Sequence, residues 1–200
     1  TATVTGGSVT REVRLAGHHA RVGTGTARTR AALTAALTEE WGRPRSLDWA
    51  KGVVANFARP PQGGDIDQIR AISAGVCEVA LTNTYYWLRL ARSQDAGEKA
   101  VADSTALVFP DQTGRGTHVN ISGAGVAKNA PNRANAVKLI EWLAGEKAQQ
   151  MYADANYEYP VRAGVAINPT IAGYGKLNAD TLPISKIATG RKAASTLVDK

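Results

Sequence analysis

An α/β fold is what the sequence predicts, on three observations. The short apolar run CEVALT, residues 77–82, reads as a buried strand. It passes without a linker into the helical pattern YYWLRLAR, and further amphipathic patterns lie before and after this pair. The third is bulk: 44% hydrophobic and 20% charged residues in a chain of 200 can bury a core of one or two small domains.

The elements follow in chain order. Residues 1–46 form a divergent segment rich in Thr, Ala, Gly and Arg, with a helical pattern only at 31–41. Ser46 is placed to cap a helix in which Leu47, Trp49, Val53, Val54 and Phe57 are the apolar positions, ending near Arg59 before Pro60 and Pro61. PPQGG reads as a loop. Asp65 or Asp67 can cap the next helix, which carries Ile66, Ile69, Ile72 and Val76 and has Gly75 near its end. The strand at 77–82 then leads into Asn83 and Thr84, both good cap residues, and a helix with Leu88, Leu90 and Ala91. Strand ends that meet helix starts are where open α/β sheets hold ligands, because unpaired N–H groups and the positive end of the helix dipole converge there.

Beyond this junction, 105–109 and 117–122 read as strands joined by the turn PDQTGRG, and 125–128 as a short extended continuation. RANAVKLIEWLAG predicts an amphipathic helix with Ala136, Leu139, Ile140 and Leu143 on one face. Gly145 and Glu146 break it, and KAQQMYADAN continues as another helix. The chain after Pro160 is mostly extended or irregular, and a last helix begins near Ala188.

Several function classes are excluded or demoted. A single cysteine, Cys77, makes no internal disulfide, and no Cys/His cluster has zinc spacing, so a metal site must use oxygen ligands. No apolar run is long enough to span a bilayer, and the opening residues lack the blocks of a signal peptide. The net charge of +7 invites a nucleic-acid reading. Against it, the arginines crowd before Asp48, no lysine precedes Lys51, and later basic residues alternate with acids as on a solvated face. The expectation is no nucleic-acid partner and no membrane insertion.

ALTNTYYWLRL, with Asn83, Thr84, Tyr85 and Tyr86, resembles the N-x-Y-Y motif of bacterial ferric-iron-binding periplasmic proteins, the substrate-binding proteins of iron-uptake ABC transporters. VANFARPPQGGDIDQIRA, GRGTHVNISGAGVAKNAPNRANAVKLIEWL and YADANYEYPVRAGVA are similar to segments of the same family in the same order, so that the resemblance covers most of residues 47–200, the C-terminal part of such a protein. It implies a periplasmic-binding-protein type II fold, incomplete, with most of the first lobe absent. Residues 47–117 would be second-lobe α/β structure, 118–128 the hinge return strand, 129–167 a helical portion of the first lobe, and 168–200 a segment packing back on the second lobe. The first-lobe helix at 133–144 would then expose its apolar face, so that a monomer able to associate through that face is expected.

The resemblance also implies a function: a periplasmic or cell-surface receptor that carries Fe(3+) to an ABC transporter permease and performs no enzymatic step. Tyr85 and Tyr86 would be the metal ligands, and Asn83 would contact a synergistic anion such as carbonate or phosphate. Ferric ion is hard and prefers anionic oxygen, and the ion itself offsets the cost of deprotonating a phenol of ordinary pKa about 10. Neighbouring side chains on a regular helix diverge by about 100°, so the two phenols can share an ion only near the first turn. No segment around His18 or His19 resembles the family, and no ligand role passes to them. The alternative is a binding protein of the same fold for another small solute, such as an organic anion or a polyamine. A hydrolase built on His118 and Ser122 is the third reading, without a nucleophile-elbow motif to support it. Tyr157, Tyr159, Trp87, Trp142 and Cys77 read as packing residues.

Overall fold

The computed structural model describes residues 14–15, 18–19, 21–24 and 27–198; the opening TATVTGGSVTREV lies outside them. Two compact units result, one of residues 1–119 with 177–200 and the other of 120–176.

The first unit holds the strand-to-helix junction. A two-residue antiparallel ribbon, β1 (Arg14–Leu15) and β2 (His18–His19), precedes β3 (Val22–Thr24). β3 runs parallel to β4 (Val79–Leu81), with Val22 opposite Val79 and Thr24 opposite Leu81. On its other side Val22 bridges to Phe57: its N–H donates to Asn56 O at 2.7 Å and its carbonyl accepts from Ala58 N at 3.0 Å. A partner for β4 thus comes from the segment whose sequence carried no strand pattern. Position 23 must be glycine, since a Cβ there would lie 2.7 Å from the sulfur of buried Cys77.

Helices pack around this array. α1 (Ala27–Trp41) contains the expected 31–41 segment and begins earlier. α2 is Arg43–Ala55, which corrects both predicted ends. Pro44 sits in its first turn, where a missing N–H costs nothing. Ser46 is not the cap: its hydroxyl is buried and donates back to Gly42 O at 3.0 Å. The helix stops at Ala55 because Asn56 and Ala58 turn to pair with β3, while Asn56 Nδ2 satisfies Gly52 O at 2.7 Å. α3 (Asp65–Ser73) ends as its sequence predicts, with Gly75 at φ 71°, Gly75 N donating to Ile72 O and Val76 N to Ala71 O. At its start Gly64 is the N-cap, and Asp67, not Asp65, reaches back to Gly64 N at 2.7 Å. Buried Gln68 donates to Gln62 O at 2.6 Å and so fixes the preceding loop.

α4 (Thr84–Ala91) follows β4, and α5 (Ala96–Asp103), absent from the sequence reading, packs against it. Residues 105–109 and 117–122 do not form the predicted strands. A strand needs a neighbouring edge, and only Thr117 finds one, in a parallel bridge to Ala179. Gly116, at φ 104°, passes so close to that segment that a Cβ would come within 2.7 Å of the Ala179 carbonyl carbon. The last helix among the described residues, Ile184–Val198, starts before the expected Ala188 and lies against α1. Their contact is built on small side chains, Ala35, Ala36 and Ala194 with Ile187.

The second unit contains α6 (Arg133–Leu143), α7 (Glu146–Asn156) and the single turn α8 (Pro169–Ala172). α6 buries none of its residues, and Leu139 and Trp142 are 56% and 47% exposed. Gln149 ties α7 to its surroundings, donating to Leu143 O at 2.9 Å and accepting from Val161 N at 2.9 Å. Among the described residues, no helix is long and apolar enough to cross a membrane.

Candidate metal centre

Tyr85 and Tyr86 occupy the second and third positions of α4, directly beyond the C-terminal end of β4. Their ring centroids are 4.2 Å apart and the ring planes are inclined by 38°. Such closeness is possible because the helix has only begun: Asn83 is extended, at φ −77° and ψ 142°, and Thr84 is the first helical residue. Both rings are half-buried, so neither is sealed in hydrocarbon. Behind them Trp87, Leu88 and Leu90 are buried, which anchors the helix that the tyrosines begin. Trp87 Nε1 donates to Thr105 Oγ1 at 2.9 Å, tying α4 to the end of α5.

Asn83 is the backbone N-cap of α4, but its side chain accepts no N–H from the helix. It is turned toward α3 instead. Asp65 Oδ2 accepts from both Asn83 N, at 2.8 Å, and Asn83 Nδ2, at 3.1 Å. Asp65 therefore does not cap its own helix; it brings a carboxylate to the start of the next one. No sequence signal marks this pairing, because the partners are 18 residues apart and Asp65 stands where an ordinary capping acid would.

Elsewhere the candidate residues are not assembled for chemistry. His118 has both ring nitrogens buried without a hydrogen-bond partner. Burial lowers its pKa below the ordinary histidine value; Asp180 pulls it up and Arg115 pushes it down. Arg115 Nε lies 3.3 Å from Asp180 Oδ2. Ser122 donates to Glu158 Oε2 at 2.8 Å, so its hydroxyl is engaged by a carboxylate. Tyr159 has a buried hydroxyl without a partner, and burial raises its pKa. Burial likewise raises the Cys77 thiol, as suits an inert packing residue. A cavity of about 400 Å³ opens between the loop at 59–63 and α3, lined by Arg59, Gln62, Asp67 and Arg70, and it includes neither tyrosine. Among the described residues no group of three or more His, Cys, Asp or Glu could hold a metal ion. Tyrosine oxygens are the kind of donor that a hard cation prefers.

A parallel strand that runs straight into the first turn of a helix, as β4 does into α4, accords with the periplasmic-binding-protein type II fold of the structural neighbours. No protein-family model matches the chain. It is, however, 48% identical over 168 residues to iron uptake protein A1 of Synechocystis sp., an alignment covering 84% of this chain and 47% of that protein. Among solved structures, the Bordetella ferric binding protein superposes with a TM-score of 0.80 at 46% identity, over 90% of this chain and 58% of that one. The Trichodesmium protein IdiA (FutA), in complex with iron and citrate ligands, gives a TM-score of 0.83 at 42% identity, over 90% and 57% respectively. These likenesses support the ferric-iron-binding protein family for this chain, which spans about half the length of the curated relatives it matches. Each relative described here is named for iron, so the alternative of another small solute gains no support from them.

Proposed function

We propose that this chain carries the tyrosine side of a ferric-iron site in an extracytoplasmic receptor that hands Fe(3+) to the permease of an ABC transporter, without enzymatic chemistry. The carrying observation is the side-by-side placement of Tyr85 and Tyr86, centroids 4.2 Å apart, at a helix start beyond a parallel strand. Two adjacent phenols there can present hard oxygen donors to one ion, and loss of their protons is driven by the ion's own charge. Both the sequence identity to iron-uptake relatives and the likeness to an iron-and-citrate complex support this reading.

The coverage of about half of each relative supports a further part of the proposal: these residues are a portion of the type II fold, with most of the first lobe outside them. Remaining ferric positions would then be filled by groups from that portion, by water or by an anion. A periplasmic or cell-surface location and a monomeric working form accompany this reading.

Addition of ferric citrate to the purified chain is expected to produce a reddish to purple absorption band from tyrosinate-to-iron charge transfer. Tyr85→Phe with Tyr86→Phe abolishes it, and each single replacement retains a weaker band. An undiminished band in the double variant rejects these ligands; no band in the parent protein rejects iron binding by this chain.

A further inference from the structure

We propose that Arg115, His118 and Asp180 form an acid-sensitive latch, which fastens the returning C-terminal tail to the segment at 112–118 and opens locally in mild acid. Chain connectivity gives the latch its place. The polypeptide leaves the first unit after residue 119 and returns to it at 177. Inside that unit the two segments meet in one parallel bridge, where Thr117 N donates to Asn178 O and Asp180 N to Thr117 O, each at 2.8 Å. Two fastenings hold the bridge. One is made of amides: Gln112 Nε2 donates to Asn178 O at 2.9 Å, and Asn178 N to Gln112 Oε1 at 2.8 Å. Amides do not titrate, so this fastening is the same in acid and at neutrality. The other is ionic, Arg115 Nε lying 3.3 Å from Asp180 Oδ2, with the Asp180 side chain only 5% exposed. The second carboxylate oxygen, Asp180 Oδ1, accepts from Leu182 N at 2.9 Å and shapes the chain that leads to the last helix.

The ionic fastening is under tension. Arg115 Nε and Nη1, Asp180 Oδ2 and both ring nitrogens of His118 are out of water, and none has a hydrogen-bond partner among the described residues. The contact of Arg115 with Asp180 is therefore one of charge, without hydrogen-bond alignment, and the Trp41 ring, 5.8 Å from the guanidinium carbon, supports it. Buried polar atoms without partners cost stability, and opening the latch to water satisfies all of them. Acid acts on this balance through one group. Asp180 and Arg115 are the charged groups that act on the His118 ring, the first favouring its cation and the second opposing it, but burial outweighs both and favours the neutral form. In the opened latch the ring is hydrated and takes up a proton near the ordinary value of about 6.5. The proton thus binds the open form better. Closure is favoured above that pH, and below it the closed-to-open ratio falls by up to about tenfold per pH unit until the closed ring itself titrates. The last helix is held on α1 by Ala35, Ala36, Ile187 and Ala194, none of which titrates, so the opening is confined to the bridge.

Amide hydrogen exchange of the full chain, read residue by residue by NMR between pH 7.5 and 5.5 and corrected for intrinsic exchange rates, tests the latch. In the parent, protection of the Thr117 and Asp180 amides is expected to fall about tenfold between pH 6.5 and 5.5, and to stay below that of the α4 amides at every pH. His118→Gln, which keeps a polar side chain that cannot take up a proton, is expected to abolish the fall. Gln112→Ala weakens the amide fastening, and is expected to lower protection of the two amides at every pH while keeping the parent's slope. The His118 ring-proton shift of the parent is the readout that needs no variant, with an expected midpoint below 6.5. Protection of the two bridge amides that does not change with pH overturns the latch, as does a parent-like slope in His118→Gln. Bridge and α4 amides of equal protection would show that the bridge opens only with the whole protein, which also overturns it. So does a ring-proton midpoint at or above the ordinary histidine value.

Discussion

Neither ring nitrogen of His118 has a hydrogen-bond partner, and both are buried. An imidazole in that position is kept neutral chiefly by the cost of burying its charged form, with Asp180 favouring the cation and Arg115 opposing it. The sign of the stability effect follows from the direction. Because the folded pKa lies below the unfolded value of about 6.5, the unfolded chain takes up the proton first as pH falls, and stability is lost from about 6.5 downward until the folded pKa is reached. The slope from this one group is at most about 1.4 kcal/mol per pH unit. Urea midpoints measured from pH 7.5 to 5 are expected to fall in the parent and to fall less in His118→Phe, which also removes two unsatisfied polar atoms. Equal pH dependence in both proteins would show that His118 is charged or solvated in the fold.

At the scale of elements, α4 depends on α5, and α5 depends on its cap. Asp95 Oδ1 accepts from Glu98 N at 2.8 Å, and Thr105, just past the end of α5, receives the Trp87 indole N–H. Asp95→Ala is expected to destabilise the protein by about 1 kcal/mol, the usual worth of such a cap, whereas Asp95→Ser restores most of the loss. A urea unfolding curve unmoved by Asp95→Ala would mean that α5 is held by packing alone. This helix also shows where sequence patterns stop. AGEKAVAD is short and supplies one large apolar residue, so hydrophobic periodicity does not reveal it; the D-x-x-E spacing of Asp95 and Glu98 was the available sign. The β4-to-α4 junction was legible for the opposite reason: a compact apolar run and a strong helical pattern meet at Asn83. The pair of tyrosines was legible with it. Asp65 was not, since its role is fixed by a contact between helices that local rules assign to a cap.

Over the whole molecule, the fold was readable wherever long stretches resembled a known family and unreadable where the chain buries small residues. The partner strand of β4 comes from Val22–Thr24, set among glycines and threonines, and the α1 contact with the last helix uses alanines that stand out in no periodic pattern. α6 is the reverse case, a helix with a plain apolar stripe of which Ala136, Ile140 and Leu143 are only half-buried and no residue is fully buried. Its Leu139 and Trp142 present about half of their surface to water, which the hydrophobic effect penalises. The protein is accordingly expected to bind the dye 8-anilinonaphthalene-1-sulfonate while fully folded. Leu139→Lys with Trp142→Lys should lower that fluorescence several-fold and leave the urea midpoint within about 0.5 kcal/mol of the parent, as surface substitutions do. If those residues instead lay in a packed core, the same double change would cost several kcal/mol and raise dye binding by loosening the fold. The two outcomes move the dye signal in opposite directions, so one pair of measurements decides whether this helix face is open.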